Sequence, residues 1–183
     1  NQEGINYQGV MYMSCMMVTE NGEQKLYVIE ANSRWGDPEV ETIVPGYSNL
    51  FDVSMSIANA SGLVLPETDG LTRVAVAGAS RGYPGNYDAV KGQEIHELDG
   101  VRAMKGVRLY GAGVSVDENG KNRAKGGRLV YAVGEGHDVN EAAKKAYEAM
   151  GTIVVDGDPA GGNNLHYRRD IGWRDVQRLR ERK

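Results

Sequence analysis

The sequence predicts an α+β fold arranged in two domains, residues 1–65 and 66–183. The first domain begins with two strand-like segments around a turn, and the second has several strand-like segments followed by an amphipathic helix. Between the two patterns, residues 61–70 contain one proline and two glycines, which is typical of a domain boundary. With 183 residues and 40% hydrophobic content, the chain is long enough to bury a core.

The first domain is predicted to open with a β-hairpin. Residues 7–18 are apolar and rich in methionine, and Asn21-Gly22 is a strong signal for a two-residue turn. Residues 26–29 are continuously apolar and too few for a helix, which predicts a buried second strand. The methionines and Cys15 are predicted to pack in the core, because no second cysteine or nearby histidine completes a metal site.

Two helices are predicted from apolar positions at helical spacing. The first covers residues 50–60, with Asn49 as its cap. The second begins with Asp138 and Glu141, which resemble a capping box, and Gly151 is expected to end it.

The remaining segments of the second domain are predicted to form strands with glycine-rich corners. The strand-like segments are residues 72–77, 106–110 and 127–133. Residues 78–85 are superficially similar to the glycine-rich turn of short-chain dehydrogenases, and Tyr87 and Lys91 have the spacing of their Tyr-x-x-x-Lys pair. In that family the pair lies far downstream on a separate helix, whereas residues 86–98 show no apolar stripe. We therefore do not expect a dinucleotide site.

The clearest candidate site follows the second strand. Glu30 and Asn32 have the period-two spacing that places both side chains on one face of a strand. Carboxylate and amide oxygens suit a hard cation such as Mg²⁺, and Arg34 offers a planar donor group to a phosphate or carboxylate. The alternative is an ordinary strand end followed by a polar turn. The three histidines have no ligand-like spacing and are expected to be surface or hydrogen-bonding residues.

Charge and composition limit the cellular compartment and the classes of molecule that the chain is expected to bind. The net charge is −4 and the single cysteine cannot form an internal disulfide, which indicates a reducing cytoplasm. No apolar run reaches the length of a membrane span. Residues 168–183 have a net charge of +4, and aromatic residues among their arginines could stack on nucleic acid. Because three acids interrupt this segment, we do not expect it to bind nucleic acid. We also expect the protein to be cytoplasmic and not to bind a membrane.

Six motifs carry a resemblance to one enzyme family. They are residues 7–12, 30–39, 82–85, 126–130, 142–149 and 167–173. In this order they resemble the C-terminal part of phosphoribosylamine–glycine ligase, or glycinamide ribonucleotide synthetase, an ATP-grasp family of purine biosynthesis. The resemblance implies that residues 1–65 form the C-terminal half of an ATP-grasp core. Residues 66–183 would form a small mixed-sheet C-terminal domain.

The resemblance also implies roles for single residues. Glu30 and Asn32 would hold Mg²⁺ or Mn²⁺ on the phosphates of ATP, and Arg34 would neutralise charge near the transferred phosphoryl group. Gly36 and Asp37 would belong to the loop beside the glycine substrate. The reaction implied is activation of glycine as an acyl phosphate, followed by attack of the amine of 5-phosphoribosylamine.

The sequence also departs from the family. Residues 9–18 supply no further acidic ligand, Ser80-Arg81 replaces small residues, and residues 157–164 resemble an insertion. Nothing resembles the amino-terminal domain or the lid that clamps ATP. We therefore expect a fragment that is inactive alone and that has the missing N-terminal part of the enzyme as its partner. The alternatives are a non-catalytic binding or regulatory module that retains the fold, and a nucleic-acid-binding domain.

Overall fold

The computed structural model describes Gly4 and residues 7–181 and divides the chain into two compact units. The first unit comprises residues 1–69 and the second residues 70–183. The boundary predicted from the sequence lies at residues 65 and 66, close to this division. In the described residues, no helix is both long enough and apolar enough to cross a membrane.

The first unit contains the predicted hairpin. Strand β1 (Tyr12–Glu20) pairs antiparallel with strand β2 (Glu23–Asn32). The connecting residues Asn21 and Gly22 have φ angles of 53° and 82°, as the Asn-Gly signal predicts for this type of turn. Strand β1 begins at Tyr12, five residues after the predicted start at Tyr7, because residues 7–11 do not pair with β2.

The predicted burial of this hairpin is wrong. The four apolar side chains at residues 26–29 are between 46% and 65% exposed, and the methionines of β1 and Cys15 are also exposed. The physical reason is that β1 and β2 form a two-stranded sheet of their own and leave much of both faces uncovered. An apolar run indicates a strand that can be buried, but it does not supply the element that covers it.

Short helices complete the first unit. Helix α1 (Val40–Ile43) leads into a 3₁₀ turn (Val44–Gly46), and helix α2 (Leu50–Asn59) follows. The predicted cap is wrong, since Asn49 makes no side-chain bond to the start of α2. Its amide instead donates to the Leu65 carbonyl at 3.0 Å and accepts from the Glu67 backbone N–H at 2.8 Å. Asn49 therefore ties the boundary segment to the first unit.

The second unit is built around a four-stranded sheet. Its strands are β3 (Thr72–Ser80), β5 (Val107–Gly111), β8 (Arg128–Gly136) and β10 (Leu165–His166). Their order in the sheet is β10-β3-β8-β5, and the pairs are antiparallel. The prediction of a mixed sheet is therefore wrong for the strands that the structure describes, whereas the α+β class is confirmed.

Two small strand pairs and three helices complete the described part of the second unit. The pairs are β4 (Ile95–His96) with β9 (Val154–Val155), and β6 (Val114–Val116) with β7 (Asn122–Ala124). The helices are α3 (Leu98–Arg102), α4 (Val139–Thr152) and α5 (Trp173–Glu181).

Helix α4 supplies the helical side of the core. Asp138 caps it by accepting a hydrogen bond from the Glu141 backbone N–H at 2.9 Å, as predicted. The Glu141 carboxylate accepts from the His137 backbone N–H, one residue earlier than in a standard capping box. The helix extends one residue past Gly151. Its alanines and Met150 pack with the apolar side chains of β3 and β8 in the buried core.

Candidate functional site

The sequence-predicted site residues lie at the open end of the hairpin in the first unit. Glu30 pairs with Ser14 and Asn32 pairs with Tyr12 in the antiparallel register. Directly opposite residues of paired strands project their side chains on the same face, so these four side chains form one polar face. The structure therefore brings Glu30 and Asn32 together on one face, as their spacing predicts.

The amide of Asn32 is the unusual group of this face. Its nitrogen is buried and hydrogen-bonds to no other described residue. A buried polar atom without a partner costs free energy, which makes such atoms rare in folded proteins. The oxygen and nitrogen of an amide exchange places by a simple flip, and the flip would direct an oxygen ligand to the same position.

Glu30 forms no ion pair within the described residues. Its side chain is exposed beside Asn32 on the polar face. An exposed carboxylate next to a buried amide supplies two oxygen ligands to a hard cation, and Mg²⁺ bound to nucleotide phosphates typically takes one or two protein groups. The two residues therefore fit the metal that the resemblance implies.

The turn after β2 returns the chain to this face. The hydroxyl of Tyr12 donates to Oε1 of Glu39 at 3.2 Å. Burial and the negative charge of Glu39 raise the pKa of Tyr12, and Glu30 adds a smaller contribution of the same sign. Tyr12 is thus a neutral hydrogen-bond donor on the polar face, and its hydroxyl is bonded to Glu39.

Gly36 is the buried residue of the turn. A Cβ atom at this position would meet the Glu39 carboxylate and lie 3.0 Å from the ring of Tyr12. No side chain fits there without moving these groups. The glycine therefore permits the turn to close against Tyr12 and Glu39.

The other two predicted residues of the turn are exposed. The guanidinium of Arg34 donates to the neighbouring Trp35 carbonyl at 2.8 Å, a local contact that an exposed side chain can exchange for a ligand. Asp37 is also exposed, and the peptide bond that follows it is cis. Neither residue is part of the contact between Tyr12 and Glu39.

Tyr12 and Glu39 were not predicted as site residues from the sequence. Glu39 closes the 30–39 motif, but its position beside Tyr12 depends on the turn at Gly36, which spacing alone does not give. Counting back from the Asn21-Gly22 turn would have placed Tyr12 opposite Ala31. The register shift between Ser14 and Cys15, which the sequence does not signal, brings Tyr12 opposite Asn32.

In the second unit, two segments in which the sequence departs from the family are in contact: Ser80-Arg81 and residues 157–164. The guanidinium of Arg81 forms an ion pair with Asp158 at 3.0 Å and donates to the Asn163 carbonyl at 2.7 Å. The backbone N–H of Arg81 donates to the Asn164 carbonyl at 2.8 Å. Arg81 therefore holds the insertion-like residues 157–164 beside the end of β3.

Comparison with known proteins identifies relatives of the chain. The family model described as "Phosphoribosylglycinamide synthetase, C domain" matches residues 73–174. The chloroplastic phosphoribosylamine–glycine ligase of Arabidopsis thaliana is 34% identical over 180 residues, which cover 96% of this chain and 32% of the relative. The trifunctional purine biosynthetic protein adenosine-3 of Bos taurus is 33% identical over 185 residues, 98% of this chain and 17% of the relative.

A solved structure shows the same likeness. The crystal structure of phosphoribosylamine–glycine ligase from Thermotoga maritima superposes with a TM-score of 0.68 at 30% identity, covering 92% of this chain and 38% of that one. The chain spans about a third of the length of the single-function ligases it matches. The family model covers more than half of the chain, and the relatives align with nearly all of it. The chain therefore belongs to the phosphoribosylamine–glycine ligase family, of which it represents the C-terminal part.

Proposed function

We propose that the chain is part of an ATP-dependent ligase that joins glycine to 5-phosphoribosylamine in de novo purine biosynthesis, giving glycinamide ribonucleotide, ADP and phosphate. Residues 1–65 would supply the C-terminal half of an ATP-grasp core, and residues 66–183 the C-terminal domain. Membership of the family supports this assignment, because its members are named for this ligation or for purine biosynthesis.

The observation that carries the proposal is the polar face of the hairpin. Glu30, which forms no ion pair within the described residues, lies beside Asn32, whose buried side-chain nitrogen has no hydrogen-bond partner there. Both are proposed ligands of Mg²⁺ or Mn²⁺, which would neutralise and orient the phosphates of ATP when bound. An ordinary strand end would not need a buried amide without a partner.

The other residues have positioning roles in this proposal. The exposed guanidinium of Arg34 would bind the charged oxygens of the phosphoryl group that passes from ATP to the glycine carboxylate. The backbone at Gly36 and the side chain of Asp37 would contact glycine. Phosphoryl transfer depends mainly on alignment and charge neutralisation, so the site needs no residue that transfers a proton in this first step.

The partner would be the N-terminal part of the same enzyme. Apolar side chains are exposed on both strands of the hairpin and on α2, where Phe51 is 74% exposed. Large exposed apolar side chains in such number are typical of an interface. We propose that the N-terminal part covers this surface and closes the ATP site in a cytoplasmic enzyme. The chain alone would then be inactive, because an open site does not protect an acyl phosphate from water.

The test compares residues 1–183 with the complete enzyme in an assay of ADP formation. The proposal predicts ADP formation by the complete enzyme that requires both glycine and 5-phosphoribosylamine, and none by residues 1–183. If the complete protein binds ATP but forms no ADP with either substrate, the chain belongs to a non-catalytic binding or regulatory module instead. Glycine-dependent ADP formation by residues 1–183 alone would contradict the proposed dependence on the N-terminal part.

A further inference from the structure

A second group of metal-ligating side chains lies in the second unit, where the proposed ligase function assigns no role. Glu94, His96 and Asp156 each place one ligand atom within 4.8 Å of the other two. His96 is the last residue of β4, Glu94 directly precedes this strand at period-two spacing from His96, and Asp156 follows the paired strand β9. The backbone N–H of Asp156 donates to the Glu94 carbonyl at 3.1 Å, which fixes the three residues across the strand pair.

The strand pair that carries these residues is anchored in the core. Ile95 lies between Glu94 and His96 in sequence and is 3% exposed, and Val155, directly before Asp156, is fully buried. Because strand side chains alternate, the buried residues hold the strands while the three ligand side chains point away from the core. Their side chains are 18% to 48% exposed, so an ion can reach them from water.

The distances within the group divide it into two contacts of different kinds. Nε2 of His96 lies 2.8 Å from Oδ2 of Asp156, which is a hydrogen bond. Nδ1 of the same ring lies 3.7 Å from Oε1 of Glu94, which is too long for one. Two ligand atoms bound to one tetrahedral Zn²⁺ are about 3.4 Å apart, given bonds of about 2.1 Å. The second distance is thus close to that of two atoms sharing an ion.

We propose that Glu94, His96 and Asp156 form a site for a divalent transition cation of the Zn²⁺ type. Nδ1 of His96 and Oε1 of Glu94 are the direct ligands, and water completes the coordination. Asp156 accepts the Nε2 hydrogen, which orients the ring and leaves the Nδ1 lone pair toward Glu94. Histidine ligands of metal sites commonly have such a carboxylate on their other nitrogen. Imidazole and carboxylate together suit Zn²⁺ better than Mg²⁺.

Two cations limit the affinity of this site. Lys121 lies 2.9 Å and Arg123 3.5 Å from Oε2 of Glu94. Both contact the oxygen that faces away from the proposed ion, so Oε1 remains available, but their charge repels a second cation. We therefore infer that Zn²⁺ binds more weakly here than it would without Lys121 and Arg123. The bound ion would join Glu94 to His96, whose ring is hydrogen-bonded to Asp156, and would stabilise the folded second unit.

The test is calorimetric titration of residues 1–183 with Zn²⁺ at pH 7 in a buffer that does not chelate metals. All variants carry Cys15→Ser, because an exposed thiol is itself a strong zinc ligand. His96→Gln removes the direct nitrogen ligand, and Asp156→Asn removes the orienting carboxylate. His166→Gln is the matched control, since His166 is an exposed histidine on β10. Circular dichroism checks that each variant is folded.

The proposal predicts one saturable site in the Cys15→Ser parent and in the His166→Gln variant. The His96→Gln variant loses it, and the Asp156→Asn variant binds about tenfold more weakly. Zn²⁺ should also raise the melting temperature of the parent over that in EDTA, and this increase should vanish with His96→Gln. No saturable binding below about 1 mM, or equal binding by the parent and His96→Gln, would show that the group is only an ion-pair network.

Discussion

The hydroxyl of Tyr12 on β1 donates a hydrogen bond of 3.2 Å to Oε1 of Glu39, which lies beyond the turn that follows β2. This contact joins the first strand of the hairpin to the end of the 30–39 motif. It also places a neutral donor beside the proposed metal ligands Glu30 and Asn32. The geometry of the candidate site therefore depends on a pair of residues 27 positions apart in sequence.

The first prediction concerns the titration of Tyr12. Burial and the charge of Glu39 raise its pKa above the ordinary value of about 10. The absorbance difference at 295 nm between the parent and Tyr12→Phe isolates this side chain, and its midpoint should lie above pH 10. Glu39→Gln should move that midpoint down, because the nearest negative charge is removed. A midpoint at or below pH 10 in the parent would contradict the contact.

The raised pKa of Tyr12 also makes the stability of the folded protein depend on pH. A raised folded-state pKa means that the contact stabilises the protein below about pH 10 and that this contribution is lost as the pH rises through the folded pKa. Tyr12→Phe should cost about 0.5–1 kcal/mol at pH 7. The loss of stability in alkali should be shallower in Tyr12→Phe than in the parent. Urea unfolding at neutral and alkaline pH measures both effects.

The second prediction tests the contact between α4 and the central sheet. A Cβ atom at Gly134 of β8 would meet the Ala142 carbonyl oxygen and lie 2.6 Å from the Ala146 backbone nitrogen. Helix and strand would have to separate, so Gly134→Ala should destabilise the second unit by about 1–3 kcal/mol. Gly111→Ala on β5 is the control, because nothing lies within 4 Å of its Cβ position. Equal melting temperatures for both variants would refute this close packing.

The third prediction concerns the ion pairs of Glu135 across three strands. Its Oε1 accepts hydrogen bonds from Arg73 at 2.8 Å and from Arg108 at 2.6 Å. Burial opposes the ionisation of Glu135, but the two arginines outweigh it and lower its pKa. The stabilisation is therefore complete above about pH 5 and is lost as the pH falls through the folded pKa.

Replacement of this carboxylate should show both its size and its pH dependence. Glu135→Gln should cost about 1.5–3 kcal/mol at pH 7, the usual range for hydrogen bonds to charged groups. The cost should shrink as the pH falls below about 4. Glu148→Gln is the control, since Glu148 forms only an exposed pair with Lys144 at 3.8 Å and its loss should cost less than about 1 kcal/mol. Guanidinium unfolding at several pH values makes the comparison.

The fourth prediction is that the basic C-terminal segment does not bind nucleic acid appreciably. In the structure the start of this segment is hydrogen-bonded to α4 of its own unit. The Tyr147 hydroxyl donates to the Arg168 carbonyl at 3.2 Å and accepts from the Ile171 backbone N–H at 2.8 Å. Arg168 is also paired with Asp170 at 2.7 Å. Fluorescence anisotropy with labelled RNA and DNA should show no micromolar binding, whereas tight binding that weakens steeply with salt would overturn the prediction.

Local signals in the sequence were sufficient for several elements. Asn21-Gly22 gave the hairpin because its turn requires positive φ angles at both residues. Asp138 gave the start of α4 because its side chain satisfies a backbone N–H that the helix leaves without a partner. These features depend on residues a few positions apart, which sequence patterns record directly.

Features that depend on distant residues were missed. Asn49 was predicted to cap α2, but its side-chain amide instead forms hydrogen bonds with the backbone of Leu65 and Glu67 in the boundary segment. The group of Glu94, His96 and Asp156 was not predicted from the sequence. Asp156 lies 60 residues beyond His96 and reaches it only through the pairing of β4 with β9. Within the candidate site, the pairing of Glu30 and Asn32 on one face followed from spacing, whereas the contact of Tyr12 with Glu39 required the folded turn.

The central claim is that Glu30 and Asn32 hold the metal on the phosphates of ATP. Its most direct test is the steady-state rate of ADP release at varied Mg²⁺ for Glu30→Gln in the complete enzyme. Removal of one positioned electrostatic contact of this kind is worth about 3–4 kcal/mol, so the rate should fall by about a hundredfold or more and require more Mg²⁺. Glu23→Gln, an exposed carboxylate at the other end of β2, should keep the parent rate. A Glu30→Gln enzyme that is folded by circular dichroism and keeps the parent turnover and Mg²⁺ dependence would contradict the assignment and leave Glu30 as an ordinary residue at a strand end.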